Sequence, residues 1–330
     1  MEAGQVLFDI KEFISIILQT YSYIDSYAKK VKEEQVENKM FIKEKNEKYT
    51  ELDYLTQTFL VNVFKKFYPN LNIKIIGEET LNEEYDKIII DMNNILKKEF
   101  LNSINEISKD KDLNFPPQFN LDSNRFKNIT NSELSFFLDP IDGTKSLLKK
   151  KFYPVTSLLG VCINNQPFIG FIHFVFDREN KTYFNFPSLG IYEYTPKSNN
   201  IEKKEIKYDD NKYQFVISST RATKEMYDFI ATFPNSEYEN ESGLGTKMIK
   251  CLLEDKIYFT TGKNSVGLWD ICSASCLLNE LGTDIYCFNG NKVQFVPKKI
   301  EFEHNGVICI SKNKLNTFLE HVKKYYSQNI

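Results

Sequence analysis

A change of pattern near residue 153 restricts the fold more than any other feature of the chain. Four runs follow in close order: VTSLLGVCI (155–163), QPFIGFIHFVF (166–176), KTYFNF (181–186) and GIYEY (190–194). They are rich in β-branched and aromatic residues, and turns containing Asn, Asp or Gly part them. That spacing predicts an antiparallel meander. On either side the apolar period lengthens towards that of helices. TELDYLTQTFLVNVFKKF, 50–67, has helical spacing, with Thr50 as its N-cap. NIKIIGEE, 72–79, reads as a short strand ending in a turn, 83–108 as helical, and the Asn-, Asp- and Pro-rich stretch 109–134 as a long loop. FFLDPIDGT, 136–144, is an apolar strand entering a Pro/Gly turn, and KSLLKK a helical turn. Beyond 213, the strands YQFVIS, KIYFT, TDIYCF and GVICI alternate with helices at 222–232, 245–253, 269–281 and 313–326. Helices alternating with strands around one antiparallel block predict a layered α/β sandwich. The polar segment PKSNNIEKKEIKYDDNK, 196–212, divides it into an N-terminal α+β half, 1–200, and a C-terminal α/β half, 201–330.

Composition excludes several functions. Hydrophobic residues at 42% and charged residues at 26% are ordinary globular usage, so a disordered or collagen-like chain is excluded. Lys plus Arg total 42 against 45 Asp plus Glu, which leaves no basic surplus for a nucleic-acid polymer. A small anion needs only a local site. The arginines are Arg125, Arg178 and Arg221; lysine carries the rest of the positive charge. The Lys/Glu/Asn-rich stretch 29–47 reads as a solvated segment between two helices. The opening MEAGQVLFDIKEFISIILQTY predicts an amphipathic helix rather than an export signal, and no run of 18 apolar residues occurs. A cytoplasmic location and no membrane partner are therefore expected. The six cysteines form no CxxC pair and are expected to be buried free thiols. His173, His304 and His321 have no mutual spacing that suggests a triad or a metal site, and they read as structural or exposed. This argues against serine- or cysteine-hydrolase chemistry. No GxxxxGK[ST] loop supports P-loop phosphoryl transfer.

Three acidic clusters stand at strand ends and helix starts: Gly77-Glu78-Glu79, Asp139-Pro140-Ile141-Asp142-Gly143-Thr144, and Trp269-Asp270. Taken singly, each acid serves as a cap or turn former. Gathered at one sheet edge they would repel, and hard oxygen ligands in such numbers suit Mg²⁺. In DPIDGT the proline stiffens the turn, so both carboxylates can face one way with the Ile141 carbonyl between them. Gly143 allows close backbone approach, and Thr144 opens a helix whose free amides suit a phosphate.

In that order, GEE, DPIDGT and WD resemble the lithium-sensitive, magnesium-dependent phosphomonoesterase superfamily. It includes inositol monophosphatases, inositol polyphosphate 1-phosphatases, 3′(2′),5′-bisphosphate nucleotidases and fructose-1,6-bisphosphatases. The resemblance covers about residues 45–312. It implies an α-β-α-β-α sandwich of the inositol monophosphatase/fructose-1,6-bisphosphatase type and two or three Mg²⁺ ions. It also implies that Glu78 is the first metal's carboxylate and a catalytic residue, that Asp139 bridges two metals, and that Ile141 offers its carbonyl. Asp142 and Asp270 would hold the second metal. Gly143 and Thr144 would supply phosphate-binding amides, and the Thr144 hydroxyl would orient the attacking water. Asp53 matches the family's early Asp that helps position this water. Ser219, Thr220 and Lys247 are expected to meet the rest of the substrate; otherwise Lys247 is a solvated lysine at a helix start. The implied reaction is direct hydrolysis by a metal-activated water.

The 61 positions from Glu78 to Asp139 resemble the long-insert branches. FYPNLNIKIIGEE, 67–79, and Leu121-Asp122-Ser123 are similar to inositol polyphosphate 1-phosphatases, which remove the 1-phosphate of inositol 1,4-bisphosphate. Gly143, LDPIDGTKSLL and Ser219-Thr220-Arg221 are similar to nucleotidases, which act on adenosine 3′,5′-bisphosphate. Two departures count against the nucleotidase: Ala222 stands where those enzymes often have histidine, and no arginine lies between 256 and 269. The balance favours the 1-phosphatase, acting as a monomer on a small phosphorylated substrate. A metal- or phosphate-binding module without catalysis is the competing class, but every matching carboxylate is present.

Overall fold

The computed structural model describes residues 9–42, 48–71, 73–79, 95–109, 113–120, 134–206, 212–262, 265–297 and 305–327. Alternation along single strands creates its layers. In β4 (Leu134–Asp142), Phe136 and Leu138 face one apolar cluster and Phe137 faces another. In β10 (Gln214–Ser218), Val216 shares the cluster of Phe137, whereas Phe215 and Ile217 face a third. Both strands are buried on two sides, which is why their sequences read as continuous apolar runs.

β4 lies in a seven-stranded sheet of order β3-β4-β5-β6-β7-β8-β9. Its other strands are β3 (Lys74–Gly77), β5 (Thr156–Ile163), β6 (Gln166–Phe174), β7 (Thr182–Phe186), β8 (Gly190–Thr195) and β9 (Asn200–Lys203). β3 pairs with β4 in parallel, and the expected meander makes up the antiparallel rest. The second sheet has the order β11-β10-β12-β14-β13, adding β11 (Glu237–Glu241), β12 (Ile257–Phe259), β13 (Thr283–Cys287) and β14 (Val307–Ser311). A hairpin, β1 (Met40–Ile42) with β2 (Lys48–Thr50), stands apart.

Helices α1 (Ile10–Lys32) and α2 (Glu51–Phe67) cover the outer face of the first sheet. The rings of Phe13, Phe64, Phe136 and Phe171 meet there, and full burial of each contributes about 1.5–3 kcal/mol. Between the sheets run α6 (Leu244–Glu254) and α7 (Leu268–Asn279). Residues Ile271 to Leu278 of α7 are all buried, as befits a helix covered on every side. α7 lies so close to β5 and β6 that a Cβ at Gly170 would stand 2.3 Å from the Ser273 carbonyl oxygen. α5 (Lys224–Ile230) and α8 (Lys312–Ser327) cover the far face of the second sheet. The expected five-layer α-β-α-β-α order is thus present.

Several expectations change. The described part of the stretch, 29–42, is mostly exposed as expected but not irregular: it holds the last turn of α1 and the strand β1, and Phe41 stacks on Tyr49; 43–47 lie outside the described residues. Helix α3 (Ile95–Asn102), followed by a 3₁₀ turn at Ser103–Glu106, is the described part of the expected 83–108 helix; 83–94 lie outside the described residues. The expected loop 109–134 contains a 3₁₀ turn at Pro117–Asn120 and an isolated bridge from Asn114 to Asn200. β9 lies within the expected polar divider, because Ile201 is buried against the first sheet. β11, EYENE, was not expected from sequence.

The described cysteines are free, and Cys162 Sγ lies 3.4 Å from Cys272 Sγ. His173 is buried between Asp25 Oδ1 at 2.7 Å and Thr182 Oγ1 at 2.9 Å. His321 stacks on Phe233, and His304 lies outside the described residues. No described helix is long and apolar enough to cross a membrane.

Candidate active site

β3 and β4 run parallel, so GEE and DPIDGT leave the sheet at the same edge. The Glu78 amide donates to the Leu138 carbonyl at 2.9 Å, which fixes the two motifs side by side. Gln57 of α2 holds the next residue. It donates to the Glu79 carbonyl at 2.5 Å and accepts from the Glu79 amide at 3.1 Å. Sequence reading missed Gln57. Its position one turn after Asp53 was the available signal.

Asp53 occupies the first turn of α2 and accepts from the Thr50 amide at 2.9 Å. Its other oxygen is 2.7 Å from Thr144 Oγ1, which also lies 3.0 Å from the Ile141 carbonyl. Burial pushes the Asp53 carboxyl up to about 6, against the hydrogen bonds from Thr50 and Thr144. Thr144 opens α4 (Thr144–Leu147), a single turn after Gly143 at φ +91°. So short a helix offers a phosphate its unpaired first-turn amides rather than a summed dipole.

Asp139 is buried and accepts from the Ile141 amide at 3.1 Å. Burial holds its carboxyl well above the usual range, and the charges of Glu78, Asp142 and Asp270 add to the effect. Asp142 accepts from Thr156 Oγ1 at 3.0 Å and from the Gly245 amide at 2.8 Å. The second bond docks the start of α6 on the cluster. Asp270, in the first turn of α7, accepts from the Gly267 amide at 2.5 Å. Burial, with the Glu78 charge behind it, pushes Asp270 up to about 7. The structure therefore brings Glu78, Asp139, Asp142 and Asp270 into one electrostatic unit, with the Ile141 carbonyl beside it.

Among the described residues no three acidic, His or Cys side chains are already closed around one point. The carboxyls of Asp139, Asp142 and Asp270 are each turned onto a backbone amide. The donor set still fits a divalent cation: Asp139 buried and Glu78, Asp142 and Asp270 half-buried, with a mutual repulsion that such an ion would relieve.

Lys247 is not the solvated lysine of the plain reading. It is 5% exposed, donates to the Gly243 carbonyl and lies 5.7 Å from the Tyr258 ring centroid. Ser219 and Thr220 are exposed on the loop after β10, and Ser219 Oγ is 2.6 Å from Ser242 Oγ. Leu121, Asp122 and Ser123 lie outside the described residues.

The model of the inositol monophosphatase family matches residues 10–326. The chain belongs to the inositol monophosphatase family. Inositol monophosphatase 3 of Xenopus tropicalis is 23% identical over 184 residues, covering 53% of this chain and 48% of that one. The match thus spans about half the length of that relative. Human 3′(2′),5′-bisphosphate nucleotidase 1 is 22% identical over 281 residues, 80% of this chain and 79% of the relative. Among solved structures, a staphylococcal inositol monophosphatase I with bound products superposes with TM-score 0.65 at 14% identity, over 94% of this chain and 95% of that one. The fold is therefore that of the family, whose members are metal-dependent phosphatases.

Proposed function

We propose that this family member is a Mg²⁺-dependent phosphomonoesterase acting on a small bisphosphorylated substrate. The observation that carries the reading is the meeting of the Asp53–Thr144 pair with the carboxylates Glu78, Asp139, Asp142 and Asp270 at one sheet edge. In this reading those four carboxylates and the Ile141 carbonyl hold two or three Mg²⁺ ions. Bound Mg²⁺ supplies charge neutralisation and a water of lowered pKa. The protein's own groups do the positioning. Asp53 accepts the Thr144 O–H hydrogen bond, which leaves the Thr144 oxygen free to accept a hydrogen bond from the attacking water and aim it at phosphorus. The amides of Gly143 and Thr144 receive the phosphoryl oxygens as their charge grows. Ser219 and Thr220 meet the rest of the substrate, and Lys247 adds a buried positive charge.

Adenosine 3′,5′-bisphosphate is the substrate best supported. It leads the inositol 1,4-bisphosphate favoured by local sequence likeness, because the human nucleotidase matches about four fifths of both chains. Inositol 1,4-bisphosphate is the second reading, supported by the lead-in at 67–79. A monomer in the cytoplasm, sensitive to Li⁺, completes the proposal.

The test is phosphate release with Mg²⁺ from both substrates at matched concentration, with Asp139→Asn as control. Faster release from the nucleotide supports the first reading, and faster release from the inositol ester supports the second. No Mg²⁺-dependent release from either overturns both.

A further inference from the structure

The loop after β10 bridges the starts of two helices. Ser219 is tied to the approach to α6 through Ser242 Oγ at 2.6 Å and, by its amide, to the Glu241 carbonyl at 2.9 Å. Arg221, two residues on, is tied in the other direction. Its Nη1 donates to the Ser265 carbonyl at 3.1 Å, just ahead of α7. Ser265 is itself anchored, with its Oγ 2.6 Å from Thr260 Oγ1. Arg221 is exposed, and this bond uses one of its five N–H donors. The sequence has no arginine between 256 and 269, yet Arg221 delivers a guanidinium to that segment from another element. Of the other two arginines, Arg178 lies on the turn after β6 and Arg125 outside the described residues.

The surroundings favour an anion at this point. Lys247 is buried in the first turn of α6; burial works against its ammonium, the Asp142 and Glu241 charges favour it, and the Arg221 charge opposes it. An anion seated between the starts of α6 and α7 would be attracted by both cations, Lys247 of α6 and Arg221 bound to Ser265 ahead of α7. A planar fork with free N–H groups matches phosphate oxygens in pairs, which an ammonium cannot do.

We propose that Arg221 is the specificity-determining contact for the phosphate the substrate keeps, holding it between the starts of α6 and α7. This inference rests on the bisphosphate reading above and deepens it by naming the group that selects a bisphosphate over a monophosphate.

The experiment is equilibrium binding by calorimetry with Mg²⁺ present, in a Thr144→Ala host that retains substrate. Two pairs of probes are compared, the second of each pair lacking the phosphate that is kept: adenosine 3′,5′-bisphosphate with adenosine 3′-monophosphate, and inositol 1,4-bisphosphate with inositol 1-phosphate. Arg221→Ala is expected to lower the bisphosphate-to-monophosphate affinity ratio roughly 10- to 100-fold, the range of a charge-assisted contact. Arg221→Lys, which keeps the charge without the fork, should lower it less. Unchanged melting temperatures for both variants establish that the fold is intact. An unchanged ratio, or an equal loss for both members of a pair, overturns the role of Arg221. The ratio is read within each scaffold, so a preference for inositol over nucleotide overturns the substrate reading and leaves the role of Arg221 supported.

Discussion

Thr144 Oγ1 lies 2.7 Å from Asp53 Oδ1, joining residues 91 positions apart. One comes from the first turn of α2 and the other from the first turn of α4. If the pair acts as one device, its two members cannot be removed independently. Asp53→Asn and Thr144→Ala should each lower kcat by about 10²- to 10⁴-fold, the usual range for a positioned proton acceptor, with little change in KM. The double variant should be no slower than the worse single one. Losses that multiply in the double variant would show that the two residues work separately.

Burial and three neighbouring acids disfavour Asp139 as a carboxylate. Asp139→Asn removes a ligand and also some repulsion. In chelator its melting temperature should equal or exceed that of the parent. Saturating Mg²⁺ should stabilise the parent by about 2.7 kcal/mol at a hundredfold excess over Kd, and the variant not at all. A variant that still gains stability with Mg²⁺ would remove Asp139 from the metal centre.

Lys97 of α3 and Glu51 of α2 form an ion pair with side chains only 5% and 7% exposed. Glu51 also accepts from the Lys39 amide at 3.3 Å. Lys97→Met leaves a buried carboxylate without its partner and should cost about 3–5 kcal/mol in urea unfolding. Adding Glu51→Leu should recover most of that loss. A double variant as unstable as Lys97→Met would mean that packing, not charge, ties α3 to α2.

Glu193 gives a pH dependence of defined sign. Burial opposes its charge, yet Tyr183, Lys204 and Lys181 together hold the carboxyl below its ordinary value. A lowered folded-state value means stabilisation that is complete above the unfolded value and lost as pH falls through the folded one. Glu193→Gln should therefore cost about 1 kcal/mol at pH 7. Chemical unfolding at successively lower pH should show the gap closing below about 4.3, the ordinary glutamate value. A gap that persists in acid would point to lost hydrogen-bond geometry rather than lost charge.

The sequence made the carboxylates legible because each motif sits where a secondary structure must end. Glu78 follows an apolar strand, Asp142 closes another with Asp139 at the register break just before it, and Asp270 starts a helix; the parallel pairing of β3 and β4 brings the first three together, and the packing of α7 on β4, β5 and β6 brings the fourth. The elements that escaped lack an apolar signature. β11, EYENE, is an edge strand whose acids Glu239 and Glu241 are held by Lys250, with Lys256 also on Glu239. Its pairing is supplied by the backbone of β10, which leaves no mark in the β11 side chains. β1 is the exception: Met40, Phe41 and Ile42 are apolar, but three residues set in a run of charges are too short to read as a strand. Lys247 is expected from sequence to meet the substrate, but its burial, like the reach of Arg221, was not legible, for another reason. The burial of one and the reach of the other depend on α6 and α7 starting side by side, and no local spacing encodes that.

α7 touches both sheets and carries Asp270 at its start. An acid on a surface loop can drift without disturbing the scaffold. This acid has no such freedom, because the helix behind it is a wedge driven between two walls. Slippage of either wall would move Asp270, so heat or mutation that loosens the layers should degrade the reaction before the chain unfolds.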